Sequence, residues 1–282
     1  MAKKLTHIAI AYDFDGTLAP GNMQQHSFIP KLQVDSSDFW KEVKAIAKDN
    51  DMNEILAYMF LMLKKAKEKN IPITKKAFTE HGKDMQLFPG VEDFFDKINN
   101  YALSKGIKIE HYIISSGLRD ILKGTSIYKK FEMVFASAYM YDANNVAEWP
   151  ALAIDYTSKT QYLFRINKGI MNSWDNEKIN KFMNEDERPI PFDRMIYLGD
   201  GETDIPAMKM IRHQGGKAIA VYNPDTKSKA GQKAKQITLK LIEQKRANYV
   251  AAADYTEKSN LFKIIQLCID EIAAKTELNK YN

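Results

Sequence analysis

Residues 7–12 form a short, largely apolar run that stops at Asp13, the pattern of a strand buried on both faces whose C-terminal end meets polar groups. Beyond Asp35 the period becomes helical. Ser36, Ser37 or Asp38 can cap a helix reaching about Lys48, Asp51 can cap a second that carries Ile55, Leu56, Met59, Phe60 and Leu63, and Thr74 a third that reaches about Lys83. Leu87-Phe88-Pro89-Gly90 interrupts the helical period. Residues 91–105 then place Phe94, Phe95, Ile98 and Leu103 on one face and predict an amphipathic helix closed by Gly106. Strand-like runs follow at 107–114, 131–136, 194–198 and 218–222, with a sixth strand at 249–253 and a closing amphipathic helix at 261–273. Such alternation predicts an α/β fold, a Rossmann-like parallel sheet with helices on both faces, interrupted after its first strand by a helical insertion. Around Asp142-Ala-Asn-Asn the aromatic and β-branched runs predict a hairpin or small β-extension instead.

Composition narrows the class. The chain has 282 residues, 45% of them hydrophobic and 27% charged, enough apolar material for one large domain or a core carrying an insertion. A lone cysteine, Cys268, excludes an intrachain disulfide and a Cys-rich zinc site and points to a reducing compartment, the cytoplasm by default. The N-terminal apolar run meets Asp13 too early for an export signal, and the longest strongly apolar stretch, residues 55–63, is about half of the ~20 residues that span a bilayer. Neither export nor membrane insertion is expected. Lys and Arg number 41 against 36 Asp and Glu, and the charges are interleaved. The most basic stretch, residues 227–246, reads as a solvated helix face without aromatic interleaving, so nucleic-acid binding is not expected.

Chemistry gathers at the strand ends. Asp13-Phe-Asp15-Gly-Thr17 sets two carboxylates two residues apart beside a turn-permitting glycine, so that one acid can stay ionised as a nucleophile while the other is held protonated. Ile113-Ile-Ser115-Ser116-Gly117 brings hydroxyls to the end of the second strand, Asn167-Lys168-Gly169 supplies a cation before a helical run over 170–182, and Gly199-Asp200-Gly-Glu-Thr-Asp204 adds carboxylates after the fourth strand. Arg119 is positioned for a second anionic group of a substrate. The five histidines are dispersed and match no metal-ligand spacing.

In their order, these four segments resemble the motifs of the haloacid dehalogenase (HAD) superfamily of phosphohydrolases. The resemblance implies Asp13 as nucleophile, Asp15 as general acid and base, and Ser115 and Lys168 as the groups that grip the phosphoryl oxygens. Thr17, Ser116, Gly117 and Arg119 are then expected to line the substrate. Mg²⁺ would be held by Asp13, the backbone carbonyl of Asp15 and Asp200, with Asp204 either a direct ligand or one step behind. Residues 1–18 and 89–282 would form the α/β core, and residues 19–88 a helical cap of the C1 type found in the phosphoserine-phosphatase-like branch. Ser116 replaces Ser115 in this scheme if the strand ends one residue later.

The expected activity is hydrolysis of a small phosphorylated metabolite through an aspartyl-phosphate. Phosphoserine itself is disfavoured, because Gly16 stands where enzymes for that substrate carry Ser and no carboxylate follows until Asp35. A phosphomutase on the same scaffold is the enzymatic alternative. A non-catalytic phospho-accepting protein is the other, although a receiver module needs no insertion of this length.

Overall fold

A computed structural model describes residues 5–227, 229–279 and 281; residues 1–4, read above for an export signal, and Ser228 of the basic stretch lie outside the described residues. In chain order the elements are β1 (Thr6–Tyr12), α1 (Met23–His26), α2 (Phe28–Lys31), α3 (Ser36–Asp49), α4 (Glu54–Glu68), α5 (Lys75–Glu80), α6 (Val91–Ser104), β2 (Ile107–Leu118), α7 (Arg119–Leu122), β3 (Met133–Tyr141) and β4 (Ala147–Leu152). There follow α8 (Lys159–Lys168), α9 (Asn176–Asn180), β5 (Met195–Gly199), α10 (Ile205–His213), β6 (Lys217–Tyr222), α11 (Lys229–Glu243), β7 (Tyr249–Ala252) and α12 (Asn260–Leu278).

The strands make one sheet in the order β4-β3-β2-β1-β5-β6-β7, parallel except for the antiparallel β3–β4 hairpin at one edge. This is the predicted Rossmann-like α/β sheet. From β1 the chain moves first to β2 and β3 on one side, then returns to β5, β6 and β7 on the other. The crevice outside the C-terminal ends of β1 and β5 is therefore the point where ligands bind in such sheets. Alternation along β1 explains why the sheet is covered twice: Ile8, Ile10 and Tyr12 enter one apolar cluster, and Ala9 and Ala11 enter the other. The first cluster also takes Phe28, Phe39, Met59 and Phe78 from the helices between β1 and α6.

Local chemistry sets the helix starts. Asp35 caps α3 by accepting from the N–H groups of Ser37 and Asp38, and Asn53 caps α4 by accepting from Ile55 and Leu56. The caps expected at Ser36, Ser37 or Asp38 and at Asp51 fall one to three residues late and two residues early respectively; Asp51 instead sits in the left-handed region at φ 47°. Thr74 caps α5 as expected.

Two departures matter for the site. β2 continues to Leu118, so Ser115, Ser116 and Gly117 lie within a strand and not at the start of a long helix. The helix expected over 170–182 is reduced to α9, because α8 occupies the preceding residues and ends where Gly169 turns left-handed at φ 68°. Lys168 is thus in a last turn, not ahead of a first one.

The two chain crossings that bound residues 19–88 are stitched side by side. Phe88 N–H donates to Leu18 O at 2.9 Å from one crossing to the other, and within the first crossing Gly16 N–H donates to Ala19 O at 2.7 Å. Tyr255, in the loop after β7, grips both: its N–H donates to Pro89 O and its hydroxyl to Thr17 O, each at 2.8 Å.

Candidate active site

β1 delivers Asp13 to the crevice, and its N–H donates to Leu198 O at 2.9 Å, carrying the pairing with β5 one residue further. Lys159, first residue of α8 and fully buried, places Nζ 3.0 Å from Asp13 Oδ1 and 2.7 Å from Asp204 Oδ1. A cation at a helix N-terminus opposes the helix dipole. The two carboxylates overcome that and the cost of burial, and hold the ammonium pKa above its ordinary value. Asp204 is further fixed by Tyr197 Oη, which donates to Oδ1 at 2.6 Å, and by the N–H of Asp200, which donates to Oδ2 at 3.2 Å.

One oxygen from each of Asp13, Asp200 and Asp204 can be chosen so that all lie within 4.8 Å of one another. Glycine makes this approach possible. A Cβ on Gly16, which is left-handed at φ 73°, would stand 2.0 Å from Asp200 Oδ2, and one on Gly199 would stand 2.4 Å from Asp204 Cγ. Burial pushes the Asp13 carboxyl up to about 7, opposed by Lys159 and reinforced by Asp204. Burial and then Asp13 push Asp15 up to about 8, while burial and its acidic neighbours hold Asp200 well above the carboxylate range. Asp15 Oδ1 accepts from the N–H of Met23 at 2.8 Å, which aims the carboxyl.

These groups open on a cavity of about 470 Å³. Of the predicted residues, Asp13, Asp15, Asp200, Ser116 and Gly117 line it. Asp204 stands behind Lys159 and Asp200, fully buried. Between the two serines the geometry favours Ser116: its Oγ is buried with no hydrogen-bond partner at the cavity wall, whereas Ser115 Oγ accepts from Gly117 N–H at 3.0 Å. Thr17 is fully buried outside the wall. Arg119 is outside it too, with its charge acting on Tyr141 and Tyr162.

Lys168 requires correction. Its Nζ donates to Ile179 O and Lys181 O, each at 2.7 Å, and it stands at the other end of α8 from Lys159, roughly 13 Å along the axis at 1.5 Å per residue. The segment Asn167-Lys168-Gly169 closes α8 instead of preceding a helix, and the cation at the site is Lys159 at the start of α8. Asp155-Tyr-Thr-Ser158 carries the better start signal: Asp155 Oδ1 accepts from Ser158 N–H at 2.8 Å and Ser158 Oγ accepts from Asp155 N–H at 2.8 Å, immediately before Lys159. The cavity wall also carries Lys44, Glu54 and Tyr156, which no sequence motif marks, together with Trp40 and Tyr58, which pack in the apolar core at the same time.

A family model for haloacid dehalogenase-like hydrolases matches residues 10–209, a span that begins within β1, ends within α10 and contains every group just described. The chain belongs to the haloacid dehalogenase-like hydrolase family. This HAD hydrolase is 30% identical over 291 residues to an uncharacterized protein of Borreliella burgdorferi (strain ATCC 35210 / DSM 4680 / CIP 102532 / B31), covering 93% of the chain and 97% of that protein. In fold it is similar to a substrate-bound phosphoserine phosphatase complex, with a TM-score of 0.56 at 15% identity over 93% of the chain and 98% of the other. It is also similar in fold to cytosolic 5'-nucleotidase IIIB bound to cytidine, with a TM-score of 0.53 at 14% identity over 97% of the chain and 88% of the other. The HAD fold is thus of the phosphoserine-phosphatase-like kind. Among the described residues no helix is long and apolar enough to cross a membrane.

Proposed function

We propose that this HAD hydrolase is a Mg²⁺-dependent phosphatase that cleaves a small phosphomonoester through an aspartyl-phosphate on Asp13. The observation that carries the reading is the buried Lys159 ammonium held on Asp13 and Asp204 at the switch point of the sheet, with Asp200 and Asp15 beside it. Phosphoryl transfer demands positioning and charge neutralisation more than covalent chemistry, and this cluster is built for both.

Asp13 attacks phosphorus while Lys159 and the Ser116 hydroxyl take the phosphoryl oxygens. Asp15, with its pKa raised to about 8, carries the proton that the leaving alkoxide needs and afterwards removes one from the hydrolytic water. The acid set suits a hard cation: Lys159 pairs with Asp13 and Asp204, Asp15 and Asp200 stand beside them, and Gly16 and Gly199 leave room for the carboxylates to converge. Asp13, the backbone carbonyl of Asp15 and Asp200 would hold Mg²⁺, with Asp204 behind them. When bound, the ion neutralises phosphoryl charge and removes the repulsion among the carboxylates.

Residues 19–88 act as a cap over this centre, with the core formed by 1–18 and 89–282. The cap supplies the leaving-group side of the cavity through Trp40, Lys44, Glu54 and Tyr58, faced by Tyr156 of the core. Three aromatic rings fit an alcohol flatter and larger than serine. Nucleoside monophosphates therefore belong beside phosphoserine and sugar phosphates in a panel screened for release of inorganic phosphate with and without Mg²⁺. Release that needs Mg²⁺ and is lost in Asp13→Asn supports the reading, and its absence across the panel overturns it. Interconversion of phosphate positions without release identifies a mutase. The buried, unpaired Cys268 fits a reducing, cytoplasmic setting.

A further inference from the structure

The N-termini of two helices meet at the cavity. Asn53 uses its amide oxygen to cap α4, accepting from Ile55 N–H at 2.9 Å and Leu56 N–H at 3.3 Å, and turns its amide nitrogen outward to donate to Asp155 Oδ2 at 2.8 Å. Asp155 divides its carboxylate in the same way. Its Oδ1 accepts from Thr157 N–H at 3.1 Å and Ser158 N–H at 2.8 Å, and its backbone oxygen accepts from Lys159 N–H at 3.2 Å, so it organises the turn that launches α8. The next residue on each side, Glu54 and Tyr156, lines the cavity, and Lys159 holds Asp13.

We propose that Asn53 and Asp155 are positioning residues, a latch through which cap helix α4 sets the Lys159 ammonium on the nucleophile. The latch rests on the phosphatase reading for the role it gives Lys159, while its geometry does not depend on that reading. Each side chain has one oxygen committed to its own helix start and one atom committed to the other helix. Breaking the link therefore loosens the 155–159 turn without removing either cap. The substrate's leaving group is enclosed by residues from both sides of this junction, so the cap closes on the substrate and steadies the phosphoryl-gripping lysine through a single hydrogen bond.

Side-chain chemistry supplies a clean test. Asn53→Asp keeps a good N-cap for α4 but sets a carboxylate against Asp155; Asp155→Asn keeps an oxygen for the α8 turn but sets a donor against the Asn53 amide. Each single exchange is expected to lower kcat for p-nitrophenyl phosphate roughly tenfold with a smaller change in KM, the scale of one hydrogen bond to a charged group. Combining both exchanges again faces one donor with one acceptor and should bring kcat back to within about twofold of the unaltered enzyme. A double variant as impaired as the worse single, or singles with unaltered kcat, overturns the latch. If the unaltered enzyme releases no phosphate, the phosphatase reading alone falls. Amide hydrogen exchange at residues 155–160 then decides the latch: it should quicken in each single and slow again in the double, and unchanged exchange in the singles overturns it.

Discussion

Asp13 and Asp15 are the same residue type two positions apart, and what separates their duties is what each carboxylate meets. Asp13 faces the Lys159 ammonium at 3.0 Å; Asp15 has a backbone N–H on one oxygen and the cavity beside it. Asp13→Asn is expected to lower turnover by at least about a thousandfold while leaving the circular dichroism spectrum unchanged, because the amide keeps the shape and loses the nucleophile. Lys159→Ala should lower kcat by roughly a hundredfold or more, whereas Lys168→Ala should stay within about twofold and lose only its two carbonyl contacts. Parallel kinetics on the two folded variants checks this, and equal losses would contradict the assignment.

The raised carboxyls also give a pH signature. Asp13 and Asp15 move from 3.8 in the unfolded chain to about 7 and about 8 in the fold, so between those limits the folded state keeps protons that the unfolded chain has released and stability falls as pH rises. Below about 6.5 the buried His81 and His111, whose pKa values drop to about 4 and about 3, act in the opposite sense. The clear window is therefore pH 6.5 to 8.5. Metal-free protein should melt several degrees lower at the upper end, with the gap closing when Mg²⁺ is added. A melting temperature that rises across this window would show that the carboxyls are not protonated in the fold. Motif residues at the ends of β1 and β5 were legible because buried strands end abruptly at polar groups. The lysine was not, because a single cation carries no pattern and its address depends on where a helix begins.

At the scale of elements, α5 and α7 meet through glycines. A Cβ on Gly124 would fall 1.9 Å from Thr79 O and one on Gly82 would fall 1.9 Å from Ile121 O, so the backbone around residues 79–82 lies directly on that of residues 121–124. Gly124→Ala is expected to destabilise the protein by about 1–3 kcal/mol, measured by urea unfolding, because neither neighbour is a flexible side-chain end. An unchanged midpoint would mean that this contact is loose. The amphipathic helices α3, α4, α6 and α12 and most strands were readable from periodicity. The Lys159 helix was not, because Gly169 and the short irregular segment after it break the chain where a polar helix was expected, and Arg165 holds that segment by donating to the carbonyls of Asn172 and Ser173. Long-range anchoring of this sort leaves no period in the sequence.

Taken whole, the molecule buries the apolar residues of 19–88 in the core that β1 and α12 also build. Phe28, Phe39, Met59 and Phe78 are buried in the same apolar cluster as β1 and α12 residues, and Tyr139 Oη donates to Met59 O at 2.7 Å across the boundary. Replacing residues 19–88 by a short Gly/Ser linker should therefore expose one wall of the core and yield a protein that binds a hydrophobic dye and melts well below the parent. A lidless form with the parent's melting temperature would establish the cap as an independent unit. Tyr255 extends the theme in time. Its hydroxyl and N–H tie Thr17 and Pro89, so the loop bearing Asp13 and Asp15 is completed by a residue made 238 positions after Thr17. On the ribosome, β1 and the two aspartates that follow it must wait for that clasp until the chain has grown past Tyr255, and nascent chains arrested before Tyr255 should carry all four acids and hydrolyse nothing.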